Sequence, residues 1–223
     1  NAGTVAVYNV FAPLYVTAEI EHIGSPEGFA ATYRELFGDP FSYEVPLIRH
    51  DLQQPLFDLP FEPGVVWNFT GGPHNTWRDS PPWSAIDFAP RLAFTGCQEV
   101  QDWVTAMAPG IVTRIQDGVV ALNLDADGYE GTGWTVIYVH LRPDMTMVEV
   151  GQRVDTGHRL GHPSCDGGLS AASSHVHLTR KYNGEWIRAG GDLPFDLGGW
   201  VVEEEHRPYE GNLHHTSSGE AVT

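Results

Sequence analysis

Basic side chains are scarce. Twelve Lys and Arg stand against 29 Asp and Glu in 223 residues, a formal charge of −17 with histidine counted neutral. Neutralising phosphates needs a basic footprint, so nucleic acid is excluded as the expected partner, and adhesion to an anionic membrane surface is disfavoured too. No run reaches the roughly 18 apolar residues of a membrane-spanning helix, so no membrane insertion is expected. There are only two cysteines, Cys97 and Cys165, too few for a cysteine-rich zinc staple. Each lies in a polar, turn-rich stretch (TGCQE and PSCDGG), which favours a single disulfide of an exported protein over two buried thiols, with both readings open. Charged residues make up only 18% of the chain, while 25 Gly and 16 Pro punctuate it, a poor composition for long helices. The first residue is Asn1 and no charged-then-apolar leader follows. The sequence therefore reads as a mature form whose export signal has been removed, with a secreted or periplasmic location expected.

What is present is enough for a core: 41% apolar residues, including seven Trp. Residues 27–37 place Phe29, Ala30, Tyr33, Leu36 and Phe37 at helical spacing, with Pro26 before them and Gly38 after. The stretch QQPLFDLPFEPG (53–64) is proline-rich and reads as an extended wrap or linker. From Val65 onward short strand-like runs alternate with turns: VVWNF, WSAIDFA, DWVTAMA, GIVTRI, VVALNL, TGWTVIYVHL, HRLGH and SSHVHLTRKYN. The expected fold class is mainly β, an antiparallel sheet domain with long loops and one short N-terminal helical segment. Residues 1–63 are expected as an extension packed on the core, 64–210 as the main domain and 211–223 as a polar tail. The segment DADGYEGTG (125–133) has only the opening of a calcium loop and reads better as an acidic hairpin turn.

The chemistry-bearing residues are histidines and one aspartate. In His175-Val176-His177 the two imidazoles are two residues apart, so on a strand both project from one face. His74 follows a Gly-Gly-Pro stretch read as a turn, and Asp87 lies thirteen residues later between Ile86 and Phe88. A carboxylate among apolar neighbours is costly to bury unless it is paired, protonated or bound to a cation. His74, Asp87 and one histidine of the HVH pair would make three protein ligands with one open position, the arrangement of a catalytic zinc. Spacing alone does not say which histidine of the pair binds. His140 closes an apolar strand and suits a core residue or a proton carrier beside a metal. His158 and His162 read as surface or loop-stabilising. His22, His50 and His206 have no partner at a recognisable spacing, and His214 and His215 fall in the tail. Trp67 and Trp103 are expected in the core, and Trp77 in the wall of a groove.

The H-x12-D spacing, the YVHL strand, GQRVDTGHRLGH and the HVH strand occur in an order that resembles the zinc metallopeptidases including β-lytic endopeptidase, LasA and lysostaphin. The late segment GGWVVEEEHRPYEG resembles the β-lytic branch. The resemblance spans residues 64 to 210. It implies a lysostaphin/LasA-like metallopeptidase fold and a bound zinc held by His74, Asp87 and His177. It assigns proton handling and charge stabilisation to His140 and His175, and donation to the oxyanion to Tyr209. The implied activity is hydrolysis of peptide bonds in peptidoglycan cross-links or other glycine-rich peptides by a monomeric enzyme. The alternative is a catalytically silent or latent relative serving as a binding or activator module. One departure is visible: GLSAASSHVH has Ala and Ser where the family's approach to HxH is glycine-rich.

Overall fold

The alternating pattern after Val65 folds into short strands joined by turns. In chain order they begin with β1 (Trp67–His74), β2 (Ala85–Pro90), β3 (Val104–Thr105), β4 (Gly110–Gln116), β5 (Val119–Asn123), β6 (Trp134–Val139) and β7 (Arg153–Val154). They continue with β8 (Arg159–Gly161), β9 (Val176–Tyr182), β10 (Glu185–Trp186), β11 (Asp196–Leu197), β12 (Trp200–Glu204), β13 (Gly211–His215) and β14 (Ala221–Val222). The computed structural model describes residues 26–39, 51–77, 82–91, 96–168 and 171–223. His22 and His50 lie outside the described residues.

The chain divides into two compact units, Asn1–Gln53 and Gln54–Thr223. In the first, helix α1 (Pro26–Phe37) occupies the segment expected from its periodicity. Pro26 takes its first position, where a missing N–H costs nothing, and the Gly38 N–H closes its end on the Arg34 carbonyl at 2.9 Å. The second unit starts earlier than the boundary drawn from the sequence. Within 54–63, Phe57 is buried in the core and Phe61 bridges to Val104. Burial of these aromatics, not chain continuity, assigns the proline-rich stretch to the β domain.

The main sheet has the order β1-β2-β9-β6-β5-β4-β7, every neighbour antiparallel, with β10 attached to β9. Two hairpins are set by local chemistry. Asp117-Gly118 (φ 46° and 76°) joins β4 to β5, and Asn183-Gly184 (φ 50° and 80°) joins β9 to β10. Left-handed backbone at both central residues is what a tight twisted hairpin needs, and Asp-Gly and Asn-Gly supply it at least cost. Strand β9 divides its residues between two environments. Val176, Leu178 and Arg180 face the large apolar cluster with Ile86, Phe88, Val136, Tyr138 and Leu122. His177 and Thr179 face the other side, beside Asp87, Val139 and Ile137. A smaller cluster of Val119, Ala121, Ile137 and Val139, flanked by Trp77 and Trp186, covers that second face. Both faces are thus shielded, which is why β5 and β6 are buried along their whole length.

A second antiparallel sheet, β11-β12-β13-β14, takes up the C-terminal part. Residues 211–223, drawn as a polar tail, carry two of its strands, and Leu213 is buried in the core. His214 and His215 therefore sit on a strand. Low hydrophobicity hides these strands from a pattern search, since backbone pairing and the single core side chain Leu213 hold them. Cys97 and Cys165 are joined in a disulfide, the first of the two readings open in the sequence. The loop 124–133 is a hairpin connection stitched by its own side chains: Asn123 donates to the Tyr129 carbonyl at 3.1 Å, and the Tyr129 N–H donates to Asp127 at 2.8 Å. Among the described residues no helix is long and apolar enough to cross a membrane.

Candidate metal centre

Three neighbouring strands converge on one point. Asp87 on β2 pairs with His177 on β9 and with Gly71 on β1. His74 ends β1 after register irregularities between Phe69 and Gly71 and between Gly71 and His74. The Gly-Gly-Pro stretch is therefore not a turn but the irregular end of a strand. Its glycines permit two close approaches. A Cβ on Gly71 would stand 2.7 Å from Asp87 Oδ2, and one on Gly72 would stand 2.6 Å from the Gly211 nitrogen. Larger residues would push β1 off the aspartate and off the segment carrying Tyr209.

The donor atoms face one another. His74 Nε2 lies 3.1 Å from His177 Nδ1, His177 Nδ1 lies 3.1 Å from Asp87 Oδ1, and His74 Nε2 lies 3.5 Å from Asp87 Oδ1. All three residues are buried. His74 donates its Nδ1–H to the Gly72 carbonyl at 2.8 Å, which turns the Nε2 lone pair inward in the neutral ring. Three electron pairs thus converge where water is excluded, an arrangement that a proton or a cation must relieve. Ligands bonded to one tetrahedral zinc at about 2.0–2.1 Å stand about 3.4 Å apart. The three separations here bracket that value, so the residues fit the metal. Among the described residues this is the group of His, Cys, Asp and Glu whose donor atoms could share one ion.

Electrostatics favour the same state. Burial alone would raise the Asp87 pKa, but the hydrogen bond from His177 and the charges of His177, His74 and His175 outweigh it and hold the carboxyl at about 2. Burial lowers the His74 pKa, so the ring is held neutral and able to bind.

The three further residues singled out in the sequence surround this group. His140 follows β6, buried, with its Nδ1–H donated to the Asp166 carbonyl at 2.9 Å. His175 donates its Nδ1–H to the Ser173 carbonyl at 2.8 Å, and its Nε2 lies 3.7 Å from Asp87 Oδ2. The two rings are 4.6 Å apart between centroids. Burial first, and the neighbouring His175 second, depress the His140 pKa to about 4. Tyr209 is exposed and stacks on the His74 ring. His140 and Tyr209 share a backbone peculiarity, φ of 65° and 70°. A left-handed conformation costs a non-glycine residue about 1–2 kcal/mol and persists where contacts over-determine it. At His140 the carbonyl accepts from the Ser164 N–H at 2.6 Å and hydroxyl at 3.1 Å. At Tyr209 the N–H donates to Pro73 at 3.1 Å and the carbonyl accepts from Gly72 at 3.0 Å.

These residues line a cleft of about 350 Å³ together with Thr70, Thr76, Trp77, Val139, Ala171 and Ala172. Trp77 stands in its lining, as a groove wall should. Trp67 is in the core, whereas Trp103 is only half-buried, between His162 and the Arg159 guanidinium. Of the two readings for His162, the loop-stabilising one holds: it is buried and donates to the carbonyl of Asp102, in the loop before β3, at 2.9 Å. His158 and His206 are exposed. Sequence reasoning did not find Asp166 and Ser173, which act through backbone carbonyls, groups every residue carries, nor Ser164, which donates its N–H and hydroxyl to the His140 carbonyl. It also passed over the hydroxyl cluster of Thr76, Ser84 and Thr179 beneath the site, where Thr76 and Thr179 are 3.0 Å apart.

No protein-family model matches the chain, and no curated protein matches it in sequence. Solved structures do match in fold. The M23 metalloprotease pseudoalterin from the deep sea superposes with a TM-score of 0.59 at 21% identity, covering 74% of this chain and 93% of its own. A zinc-containing peptidase from Vibrio cholerae matches at 19% identity and TM-score 0.45, covering 63% of this chain and 41% of that one. The lysostaphin catalytic domain from Staphylococcus simulans matches at 20% identity and TM-score 0.38, covering 56% and 89%. Pseudoalterin alone of these carries the conclusion. The chain has the fold of the M23 metallopeptidases.

Proposed function

We propose that the protein is a zinc-dependent endopeptidase that hydrolyses peptide bonds in peptidoglycan cross-links or other glycine-rich peptides. One observation carries this reading. Three donor atoms with zinc-like separations share a cleft with two further histidines whose Nδ1–H groups are already given to backbone carbonyls. The M23 fold and the lysostaphin-like order of motifs support the substrate class.

A zinc ion held by His74, Asp87 and His177 would polarise the scissile carbonyl and bring the pKa of water down towards about 7. The protein's own groups do the rest. His140 is neutral at pH 7, since burial holds its pKa at about 4, and its Nε2 is the acceptor left after Nδ1–H is committed. His175 likewise commits its Nδ1–H to a backbone carbonyl. One of the pair takes the proton from the attacking water and returns it to the leaving amine. The Tyr209 hydroxyl donates to the oxygen on which negative charge develops, and the second ring joins it only when Nε2 carries a proton as well. Ala171 and Ala172, in the stretch that departs from the glycine-rich pattern, line the cleft and bear on substrate choice. The Cys97–Cys165 disulfide suits an oxidising compartment, so we place the enzyme outside the cytoplasm, secreted or periplasmic.

The test is zinc stoichiometry combined with release of peptides from purified cell walls and from Gly-Gly peptides, with a chelator control. One bound zinc and chelator-sensitive cleavage are expected. Zinc binding without cleavage of either substrate would instead identify a silent relative acting as a binding module.

A further inference from the structure

We propose that the Cys97–Cys165 disulfide is a positioning device for the two histidines that do not bind metal; the inference rests on the endopeptidase reading and deepens it. Each half-cystine sits between the two residues that hold the backbone behind one of these histidines. Cys165 is flanked by Ser164 and Asp166. The Asp166 carbonyl takes the His140 Nδ1–H at 2.9 Å, and Ser164 bonds the His140 carbonyl through both N–H and hydroxyl. The Ser164 hydroxyl also accepts from the Asp166 N–H at 2.9 Å, which locks the three residues into one unit. Cys97 is flanked by Gly96 and Gln98. The Gly96 carbonyl accepts the Ser174 N–H at 3.3 Å, and the Gln98 carbonyl accepts the Ser174 hydroxyl at 2.6 Å. Ser174 lies between Ser173, whose carbonyl takes the His175 Nδ1–H, and His175 itself. The two clamps meet a second time where the His175 N–H donates to the Ser164 carbonyl at 3.2 Å.

The covalent bond thus closes a ring of hydrogen bonds around the pair His140 and His175. The zinc donors stand outside this ring: His74, Asp87 and His177 are set by strand pairing among β1, β2 and β9. Opening the disulfide frees the Gly96–Gln98 clamp from the Ser164–Asp166 clamp without touching a donor strand. Ring tautomer and orientation of His140 and His175 loosen, while the metal site keeps its geometry.

The experiment compares the wild-type protein with the Cys97→Ser/Cys165→Ser double variant, read by zinc stoichiometry, steady-state kinetics on a Gly-Gly peptide and imidazole nitrogen NMR. Zinc content should be unchanged and KM within twofold. Turnover should fall by about tenfold to a hundredfold, the usual cost of a loosely held catalytic group. The Nδ1–H signals of His140 and His175 should broaden or show mixed tautomers, while that of His74 stays sharp. A disulfide that merely stabilises would lower the melting temperature and leave ring signals and turnover unchanged below it; that result overturns the proposal. Should the double variant fail to fold, Ser174→Ala keeps the disulfide and removes the shorter of the two bonds in the Gly96–Gln98 clamp, and it should broaden the His175 signal alone. An unchanged His175 signal there also overturns it. If the wild type binds zinc yet cleaves nothing, the endopeptidase reading falls, and the ring signals, recorded without substrate, still decide the positioning role.

Discussion

The ring of Tyr209 lies flat on that of His74, with centroids 4.0 Å apart and planes 18° from parallel. The contact joins the C-terminal segment to the end of β1, and the backbone bonds between Tyr209 and the Gly72-Pro73 pair reinforce it. The side chain is mostly exposed, pinned at both ring and backbone, and stands in the lining of the cleft.

Tyr209→Phe keeps the stack and removes only the hydroxyl. Loss of one donor to a developing oxyanion costs about a hundredfold or more in turnover. The variant should therefore retain one zinc and an unchanged melting temperature while turnover on a Gly-Gly peptide drops by at least tenfold. Wild-type turnover would remove Tyr209 from the mechanism.

The ligand and non-ligand histidines should separate cleanly. His74→Ala and His177→Ala should lose both zinc and activity, because two remaining donors cannot hold the ion. His140→Ala should keep zinc and lose about 10²–10⁴-fold in turnover, the range for removal of a general acid–base group. Metal analysis after dialysis, paired with peptide hydrolysis, reads both. Zinc retained in either ligand variant would end the assignment.

Arg180 tests the core beneath the site. Its side chain is fully buried on the face of β9 opposite His177, lies 4.4 Å from the Phe195 ring, and donates to Gln54 and to the carbonyls of Leu193 and Arg188. Arg180→Met would leave those part-buried acceptors without their donor, at no more than about 1–3 kcal/mol each, and open space beside Phe195, partly offset by relief of the buried charge. A net loss of about 2–4 kcal/mol is expected in urea unfolding. An equal or higher midpoint would show that the guanidinium is dispensable.

Glu130 gives a pH signature away from the metal site. Arg114 Nε and Nη2 donate to its two oxygens at 2.9 and 3.0 Å. Burial pushes the Glu130 pKa up, but the Arg114 hydrogen bond and charge prevail, so the folded value lies below the ordinary 4.5. A depressed carboxyl pKa contributes stability that is present in full above the ordinary value and disappears as pH falls through the folded one. Glu130→Gln should therefore melt lower than wild type at pH 7, with the gap closing below pH 4.5. A gap that persists unchanged to pH 3 would assign the loss to packing.

Side chains with a strong periodic context were legible in the sequence. His175 and His177 stand out on an alternating strand, and Asp87 stands out because Ile86 and Phe88 make its burial expensive. Strand β1 was harder: glycine and proline signal a turn, yet here they let the strand bend past Asp87 and the 209–211 segment. Strand β13 was hidden because Gly, Asn and His carry little strand preference and a single side chain, Leu213, anchors it in the core. Arg180 could not be foreseen as buried, since a lone arginine on a strand is ordinarily a surface residue. The carbonyls that orient His140 and His175 leave no mark in the sequence, because their chemistry belongs to the backbone.

The division of β9 into two unlike faces also bears on how the chain finds its alignment. A slip of one residue between β9 and its neighbours would thrust His175, His177 and Thr179 into the apolar interior and turn Val176 and Leu178 outward. No half-correct pairing of this strand is tolerable, so the residues selected for chemistry also proofread the assembly of the sheet that carries them.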